Sequence, residues 1–383
     1  MKVLHLCDSI IGGTGSYLTE LLPAQVAIYG AGNVALLIPG DQERYIEDSL
    51  RNSGVEFIFF SRPRRARGVM NLARSYHRLL KTYRPAIIHA HSWGAGLVTR
   101  VSRRPRGSSI IFCSHGWAFD INSLGWTTKR ALALMERVLA ARADHIIAIS
   151  RHEFERGRDI GIPAAKMSVI VNSISGSVPT VRAEQWDDKR LRILFAGRFD
   201  RQKGLDILLR AIEPLHEKVT VRAIGEVVVS APGSSETQPS WPHVTYLSWR
   251  GRDGVAAQML ASDLLVVPSR WEGFGLVALE AMRLSVPVAA SAVGGLKEIL
   301  GDGEYGFLFP PDDAEGLRQC IEALTIEKLN AMARKGNQRF LDDYRADKMV
   351  HGVERVYNQL AATRPIADPA QDRLPESSTH LVH

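Results

Sequence analysis

Short apolar runs alternate with amphipathic stretches along the first part of the chain. Val3–Cys7, Asn33–Ile38, Glu56–Phe60, Ala86–His89, Ser109–Cys113, His145–Ile149 and Met167–Ile170 read as strands. Between them, Tyr17–Tyr29, Val69–Thr82 and Thr128–Arg142 repeat their apolar residues at helical spacing. This alternation predicts a parallel sheet of βαβ units. Ser173–Lys189 is polar and aperiodic, and a domain boundary belongs there. The pattern then restarts. Strands are predicted at Arg192–Ala196, Thr220–Ile224, Val244–Leu247, Leu264–Pro268 and Val286–Ala290. Helices are predicted at Leu205–Leu215, Val255–Ala261, Leu276–Leu284 and Ala314–Ala323. The chain therefore reads as α/β, with two Rossmann-like domains (residues 1–175 and 190–346) facing a cleft. A late amphipathic helix over 347–362 is expected to cross back to the first domain. The polar segment Ser230–Pro242 reads as a loop, and residues 364–383 as a disordered tail.

Length and composition fit this picture. A chain of 383 residues exceeds one ordinary core, and its 45% hydrophobic and 23% charged residues are those of a globular protein. Cys7, Cys113 and Cys320 lie far apart, which argues against a disulfide framework or a thiolate metal site. No uninterrupted apolar run approaches the ~20 residues a membrane span needs. The apolar start is broken by His5 and Asp8, unlike a signal peptide. A cytoplasmic protein is expected.

Charge changes the picture in one respect. The net +7 divides into +10 over residues 1–172 and −3 over the remainder. The excess gathers at Arg62, Arg64, Arg65 and Arg67, and at Arg100, Arg103, Arg104 and Arg106. Such clusters read as a solvated face, or as a surface for phosphate or anionic lipid. Nucleic acid is disfavoured, because no recognition motif and no interleaved aromatics accompany them.

Three stretches carry candidate chemistry. Gly12-Gly13-Thr14-Gly15-Ser16 follows the first strand. It lacks the third glycine of a dinucleotide fingerprint, and the second strand ends without an acidic residue. It reads as a plain tight turn, or as backbone that approaches a ligand in the cleft. Gly197-Arg198-Phe199-Asp200-Arg201-Gln202-Lys203-Gly204 ends another strand and presents two cations suited to a diphosphate. Glu272-Gly-Phe-Gly-Leu-Val-Ala-Leu-Glu280 crosses from a strand-end loop into a helix. Its carboxylates can address two ends of one ligand, with free helix amides between them for an anion.

With these motifs in hand, the chain resembles a glycosyltransferase of family 4, of the bacterial surface-polysaccharide type. The hallmark Glu-x7-Glu appears as Glu272…Glu280 and the Gly-Arg-x4-Lys-Gly turn as residues 197–204. Ser114-His115-Gly116-Trp117 and Gly294-Gly295-Leu296-Lys297-Glu298 match more weakly. The resemblance spans roughly residues 1–360. It implies a GT-B fold, a nucleotide sugar held mainly by the second domain, and retention of anomeric configuration. By position it assigns Glu280 to the ribose hydroxyls, and Arg198 and Lys203 to the diphosphate. It assigns Glu272 and the amides of Phe274, Gly275 and Leu276 to the sugar and phosphate. Gly13 and Gly15 are set beside the donor, and His115 approaches its sugar from the first domain. Glu272 and His115 are the catalytic candidates. His89 and His91 read as cleft wall, packed on opposite faces.

The resemblance implies transfer of a hexose from a UDP-sugar, with GDP-mannose as the second choice, to a lipid-linked or free glycan acceptor. No cofactor or metal is expected. Asp-x-Asp occurs nowhere in the chain, and the two cations can neutralise the leaving diphosphate instead. Peripheral contact with the inner membrane through Arg62–Arg67 and Val69–Leu80 is expected. The family's Gly-x-Gly turn is replaced by Gly225-Glu226-Val227, so the base stays open; Trp249 either stacks on it or fills a core. A sugar-nucleotide epimerase, a nicotinamide oxidoreductase and a non-catalytic assembly protein are the competing classes.

Overall fold

A computed structural model describes residues 1–63, 65–121, 124–226 and 241–363. The predicted tail and most of the predicted 230–242 loop lie outside the described residues. The first domain runs β1 (Val3–Cys7), α1 (Gly13–Tyr29), β2 (Val34–Pro39), α2 (Asp48–Arg51), β3 (Glu56–Phe60), α3 (Arg65–Tyr83), β4 (Ile87–His91), α4 (Ser92–Val101), β5 (Ser109–Cys113), α5 (Trp126–Ala140), β6 (His145–Ala148), α6 (Arg151–Asp159) and β7 (Met167–Val169). The second runs β8 (Leu191–Ala196), α7 (Leu205–Ile212), β9 (Val219–Ile224), β10 (Val244–Leu247), α8 (Arg252–Ala261), β11 (Leu264–Val267), α9 (Leu276–Arg283), β12 (Val288–Ser291), α10 (Gly294–Ile299), β13 (Phe307–Phe309), α11 (Ala314–Glu322), α12 (Ile326–Asp343) and α13 (Ala346–Thr363).

Both sheets are parallel. Their orders are β3-β2-β1-β4-β5-β6-β7 and β10-β9-β8-β11-β12-β13. Helices cover both faces, so the central strands are apolar almost throughout and fully buried. The strand order reverses between β1 and β4, and again between β8 and β11. Open α/β sheets bind ligands at the carboxyl ends of such strands. All three predicted motifs leave from those ends.

One face of each sheet contributes to a single shared apolar core. It joins Tyr17, Ile147 and Ile174 to Leu276, Leu296, Tyr344 and Tyr357. The outer face of each sheet has a core of its own. α13 leaves the second domain and lies on the first: Gly352 packs on Ile170, Gln25 Nε2 donates to Glu354 Oε1 (3.0 Å), and Tyr357 meets His89. Met349, Val353 and Tyr357 are buried there, each worth at most about 1.5–3 kcal/mol against the extended chain.

The structure corrects several expectations. α1 begins at Gly13, not Tyr17, with Gly12 as N-cap at φ 85°. The glycine turn is therefore the helix's first turn. α2, α4, α6, α10, α12 and β13 were not anticipated from the pattern. Arg100 is not on the basic surface. It is buried with Glu136, Nη1–Oε2 2.8 Å and Nη2–Oε1 3.3 Å, its guanidinium 3.8 Å over the Phe112 ring. Gly96 makes room for this stack, since a Cβ there would meet Phe112 at 2.3 Å. Arg62 folds back onto the Asp8 carbonyl (2.8 Å) and Asp41 (3.1 Å). The side chains of Arg64 and Arg65 lie outside the described residues. Trp249 is 54% exposed, so it fills no core.

Candidate active site

β8 delivers the Gly197–Gly204 turn, and Asp200 organises it. Its carboxylate accepts from Arg198 Nε (2.7 Å) and from the Lys203 amide (2.9 Å). Arg198 also donates to Gln202 Oε1 at 2.8 Å. Gln202 then ties this turn to the loop after β11: its side chain donates to the Trp271 carbonyl (3.2 Å) and its own carbonyl accepts from the Arg270 amide (2.8 Å). Gly204 sits at φ 67°, and a Cβ there would strike the Pro268 carbonyl at 2.1 Å. Glycine lets the two loops touch.

Across this seam Lys203 Nζ meets Glu272 Oε2 at 2.5 Å, and Ser269 Oγ donates to the same oxygen at 3.3 Å. The cation predicted for the diphosphate and the carboxylate predicted for the sugar are thus paired, side by side. Phe274 is buried, and Gly275 caps α9 at φ 102°. A Cβ on Gly275 would meet Leu296 at 2.4 Å. Gly294 and Gly295 let α10 lie on the same loop: added Cβ atoms would approach the Glu272 carbonyl at 1.9 Å and the Phe274 Cα at 2.6 Å. The loop is wedged between glycines, and the open first turn of α9 follows it.

Glu280 lies elsewhere. α9 carries it one turn away, into a narrow cavity lined by Arg252, Arg283, Ile174 and Met259. Burial raises its carboxyl above the usual range, opposed by both arginines. Arg252 also reaches the first domain, pairing with Glu20 (3.0 Å) and Glu47 (2.7 Å). Arg283 donates to the Ser175 carbonyl at 3.1 Å. Glu272 and Glu280 therefore stand in separate electrostatic settings, and do not flank one bond as a two-carboxylate hydrolase requires.

The first domain closes on the loop over residues 272–275. A Cβ on Gly273 would lie 3.5 Å from both the His115 carbonyl and Gly116 Cα. The Arg151 amide donates to Glu298 at 2.7 Å. A Cβ on Gly13 would lie 3.9 Å from Leu276 Cδ1, so that glycine faces α9. Gly15 faces inward instead; its Cβ would strike the Ile10 carbonyl at 2.1 Å, which accounts for the glycine without a ligand.

His115 has φ 50°, in the left-handed region a non-glycine residue seldom adopts. It stands in a group of four histidines. His5 and His89 pair in register on β1 and β4, and His89 and His91 share a face with ring centroids 4.2 Å apart. Residues two apart on a strand point the same way, so the opposite-face expectation was wrong. His115 Nε2 is 3.0 Å from His91 Nδ1, and its ring lies edge-on to Tyr17 at 4.8 Å. Burial holds His115 down at about 3 and His5 at about 4, and lowers His89 and His91 well below the ordinary value. All four are neutral near pH 7.

Sequence reasoning missed His5, Gln25, Asp200, Gln202 and Glu354. A signal was present for His5: a polar residue on a buried central strand needs a partner. Among the described residues, two groups could hold a metal, namely His5, His89 and His91, and His91, Cys113 and His115. Neither set is prepared for one. His5 and His91 already use both ring nitrogens in hydrogen bonds. Burial raises the Cys113 thiol well above its usual range, so it keeps its proton.

Two parallel-sheet α/β domains, each with its own switch point, define the GT-B fold class. Comparison with known proteins agrees. Residues 12–173 match the model of the glycosyl transferase 4-like domain and residues 180–339 that of glycosyl transferases group 1. The chain belongs to the family 4 type of GT-B glycosyltransferases. It is 28% identical to an uncharacterized 41.2 kDa protein in the cps region of Klebsiella pneumoniae, over 93% of this chain and 99% of that one. It shares the fold of sucrose-phosphate synthase from Thermosynechococcus elongatus (TM-score 0.79, 20% identity, 95% of this chain and 100% of that one). It also shares that of HepE from Anabaena, solved with UDP-glucose (TM-score 0.73, 18% identity, 94% and 100%).

Proposed function

We propose that this glycosyltransferase moves a hexosyl group from a UDP-sugar to a glycan acceptor, with retention and without a divalent metal, in surface-polysaccharide assembly. The observation that carries this reading is the Lys203–Glu272 pair, 2.5 Å apart and set beside Arg198 at the β8/β11 switch point. A diphosphate takes over the cations, and Glu272 is released toward sugar hydroxyls. The bond from the anomeric carbon to the phosphate oxygen breaks, and its electron pair stays with the UDP. The acceptor hydroxyl bonds the same carbon from the same face and passes its proton to that phosphate oxygen. Arg198, Lys203 and the first-turn amides of α9 stabilise the growing negative charge. Glu280 takes the ribose, and His115 meets the sugar from the opposite domain. UDP is favoured because a protein of this fold binds UDP-glucose. The cps-region relative supports the polysaccharide setting.

The acceptor is a polyprenyl-diphosphate-linked glycan, met at the inner membrane. Besides the expected Arg62–Leu80 surface, α5 offers a second face suited to a bilayer. Trp126, Leu134 and Val138 are 64%, 62% and 62% exposed, in one row with Arg130. Exposed Arg137 lies beside that row, while the helix's one acid, Glu136, turns inward to Arg100. Apolar and basic groups without exposed acid suit an anionic surface.

Thermal shift against UDP- and GDP-sugars, followed by product analysis with donor alone and with acceptor, tests the reading. Stabilisation by UDP-sugar, and a glycosidic product only when acceptor is present, are expected. A new sugar nucleotide formed from donor alone would make the protein an epimerase. Full transfer by Glu272→Ala and Lys203→Ala would overturn the site.

A further inference from the structure

A file of hydrogen-bonded side chains runs from the last helix to the cleft. Glu354 on α13 accepts from Gln25 Nε2 at 3.0 Å and from the Tyr29 hydroxyl. Gln25 Oε1 lies 2.8 Å from His5 Nε2, and His5 Nδ1 lies 2.9 Å from His91 Nε2. His91 Nδ1 lies 3.0 Å from His115 Nε2. The file ends at His115 Nδ1, which is buried with no hydrogen-bond partner among the described residues. Gln25, His5 and His91 are 0% exposed, so water cannot replace any internal link.

Each link has a direction. Glu354 offers oxygens, so Gln25 turns its NH2 to that end and its carbonyl to His5. His5 must then donate from Nε2. A neutral imidazole carries one N–H, so His5 Nδ1 accepts and His91 Nε2 donates. His91 Nδ1 accepts in turn, and His115 Nε2 donates. What remains on His115 is a bare Nδ1 lone pair. Reversing it requires reversing every link at once, and would turn the Gln25 carbonyl against the Glu354 carboxylate.

We propose that Glu354 and Gln25 are positioning residues that fix, through His5 and His91, the tautomer in which His115 presents Nδ1 as an acceptor. Its partner in the cleft is therefore a hydrogen-bond donor, such as a sugar hydroxyl. A carbonyl or phosphate oxygen is refused, since neither brings a proton. The assignment of that partner rests on the transferase reading above; the tautomer itself does not. The burial that keeps the four rings neutral supports the file, because a protonated imidazole donates from both nitrogens and would break its direction.

The test is ¹⁵N NMR of the full chain labelled in histidine at pH 7, with signals assigned by their loss in His5→Asn, His91→Asn and His115→Asn. Proton on Nε2 and none on Nδ1 is expected for all three residues in the unaltered protein. An Nδ1 proton on His115 overturns the proposal, whatever the enzyme transfers. In Gln25→Leu, His115 should become a mixture of tautomers. The kcat should fall about tenfold while KM for donor stays within about twofold. Wild-type tautomers and kcat in a folded Gln25→Leu would also overturn it. If that variant does not fold, the spectrum of the unaltered protein decides alone. If the tautomers are as stated but no transfer occurs with any donor, the transferase reading fails and the positioning file stands.

Discussion

Replacing Gly294 by alanine drives one methyl group into the backbone of the donor loop. The new Cβ would sit 1.9 Å from the Glu272 carbonyl oxygen, where carbon needs at least 3.0 Å. The backbone fixes where a Cβ sits and the carbonyl belongs to the facing backbone, so no rotamer can relieve the contact. The loop must retreat by about 1.1 Å, and a misplacement of that size costs on the order of a hundredfold in catalysis. The expected fall in kcat/KM is about 100-fold, or about 2.7 kcal/mol of transition-state stabilisation. Residue 294 also has φ 46°, which adds roughly 1–2 kcal/mol of backbone strain for alanine. A control separates the two effects. Gly32 has φ 78°, but nothing lies within 4 Å of its Cβ position, in a turn at the strand end away from the cleft. Gly32→Ala should lower Tm by a similar amount and leave kcat/KM within about twofold. Steady-state kinetics with varied donor, alongside calorimetry of both variants, makes the comparison. Equal kcat/KM in Gly294→Ala and the unaltered enzyme would refute the claim that the 272–274 backbone positions the donor.

Glu136→Ala strands the Arg100 guanidinium in the core and should cost about 3–5 kcal/mol in urea unfolding, whereas replacing both residues by apolar ones should cost less. Stability should fall on acidification. His5, His89, His91 and His115 have folded pKa values below 6.5, so the unfolded chain takes up protons first as pH drops through that value. Each adds up to ~1.4 kcal/mol of loss per pH unit until its folded pKa is reached. Glu153, pushed up to about 7 by burial, works the other way: its contribution is lost as pH rises toward that value. Unfolding free energies at pH 7 and pH 5 should show the histidines winning; greater stability at pH 5 would contradict the buried neutral cluster. On the proposed mechanism, in which Arg198 and Lys203 carry the phosphate charge, transfer should survive excess EDTA within about twofold. Loss on chelation with recovery on manganese would end the metal-free mechanism.

Much of the fold was legible because burial leaves its period in the sequence. β1, β3, β5 and β10 have their predicted bounds, since each is short, apolar or alternating, and bordered by turn residues. The missed helices lack that contrast. α12 is mostly polar, with few buried side chains, and α4 opens on Ser92 at φ 69° with two glycines close behind. α6 did announce itself: Ser150-x-x-Glu153 is a cap in which Ser150 accepts from the Glu153 amide at 3.1 Å. In the site, the spacing of Glu272 and Glu280 was visible, and their separation into two settings was not. That separation depends on Arg252 and Arg283, which meet Glu280 through tertiary packing. The histidine file was invisible for the same reason. Its members come from β1, α1, β4, the loop after β5 and α13, and no short window contains two links in contact.

The placement of α13 has a consequence for how the protein is made. When residue 345 has been added, both sheets are already complete in sequence. The first domain is not finished. Ile170, His89 and Gln25 still lack Gly352, Tyr357 and Glu354. Synthesis from the amino end thus cannot mature the domains in turn. The first domain waits with an uncovered apolar face for α13. A chain shortened before Ala346 should show its damage far from the cut in sequence, as early proteolysis and chaperone retention of residues 1–175.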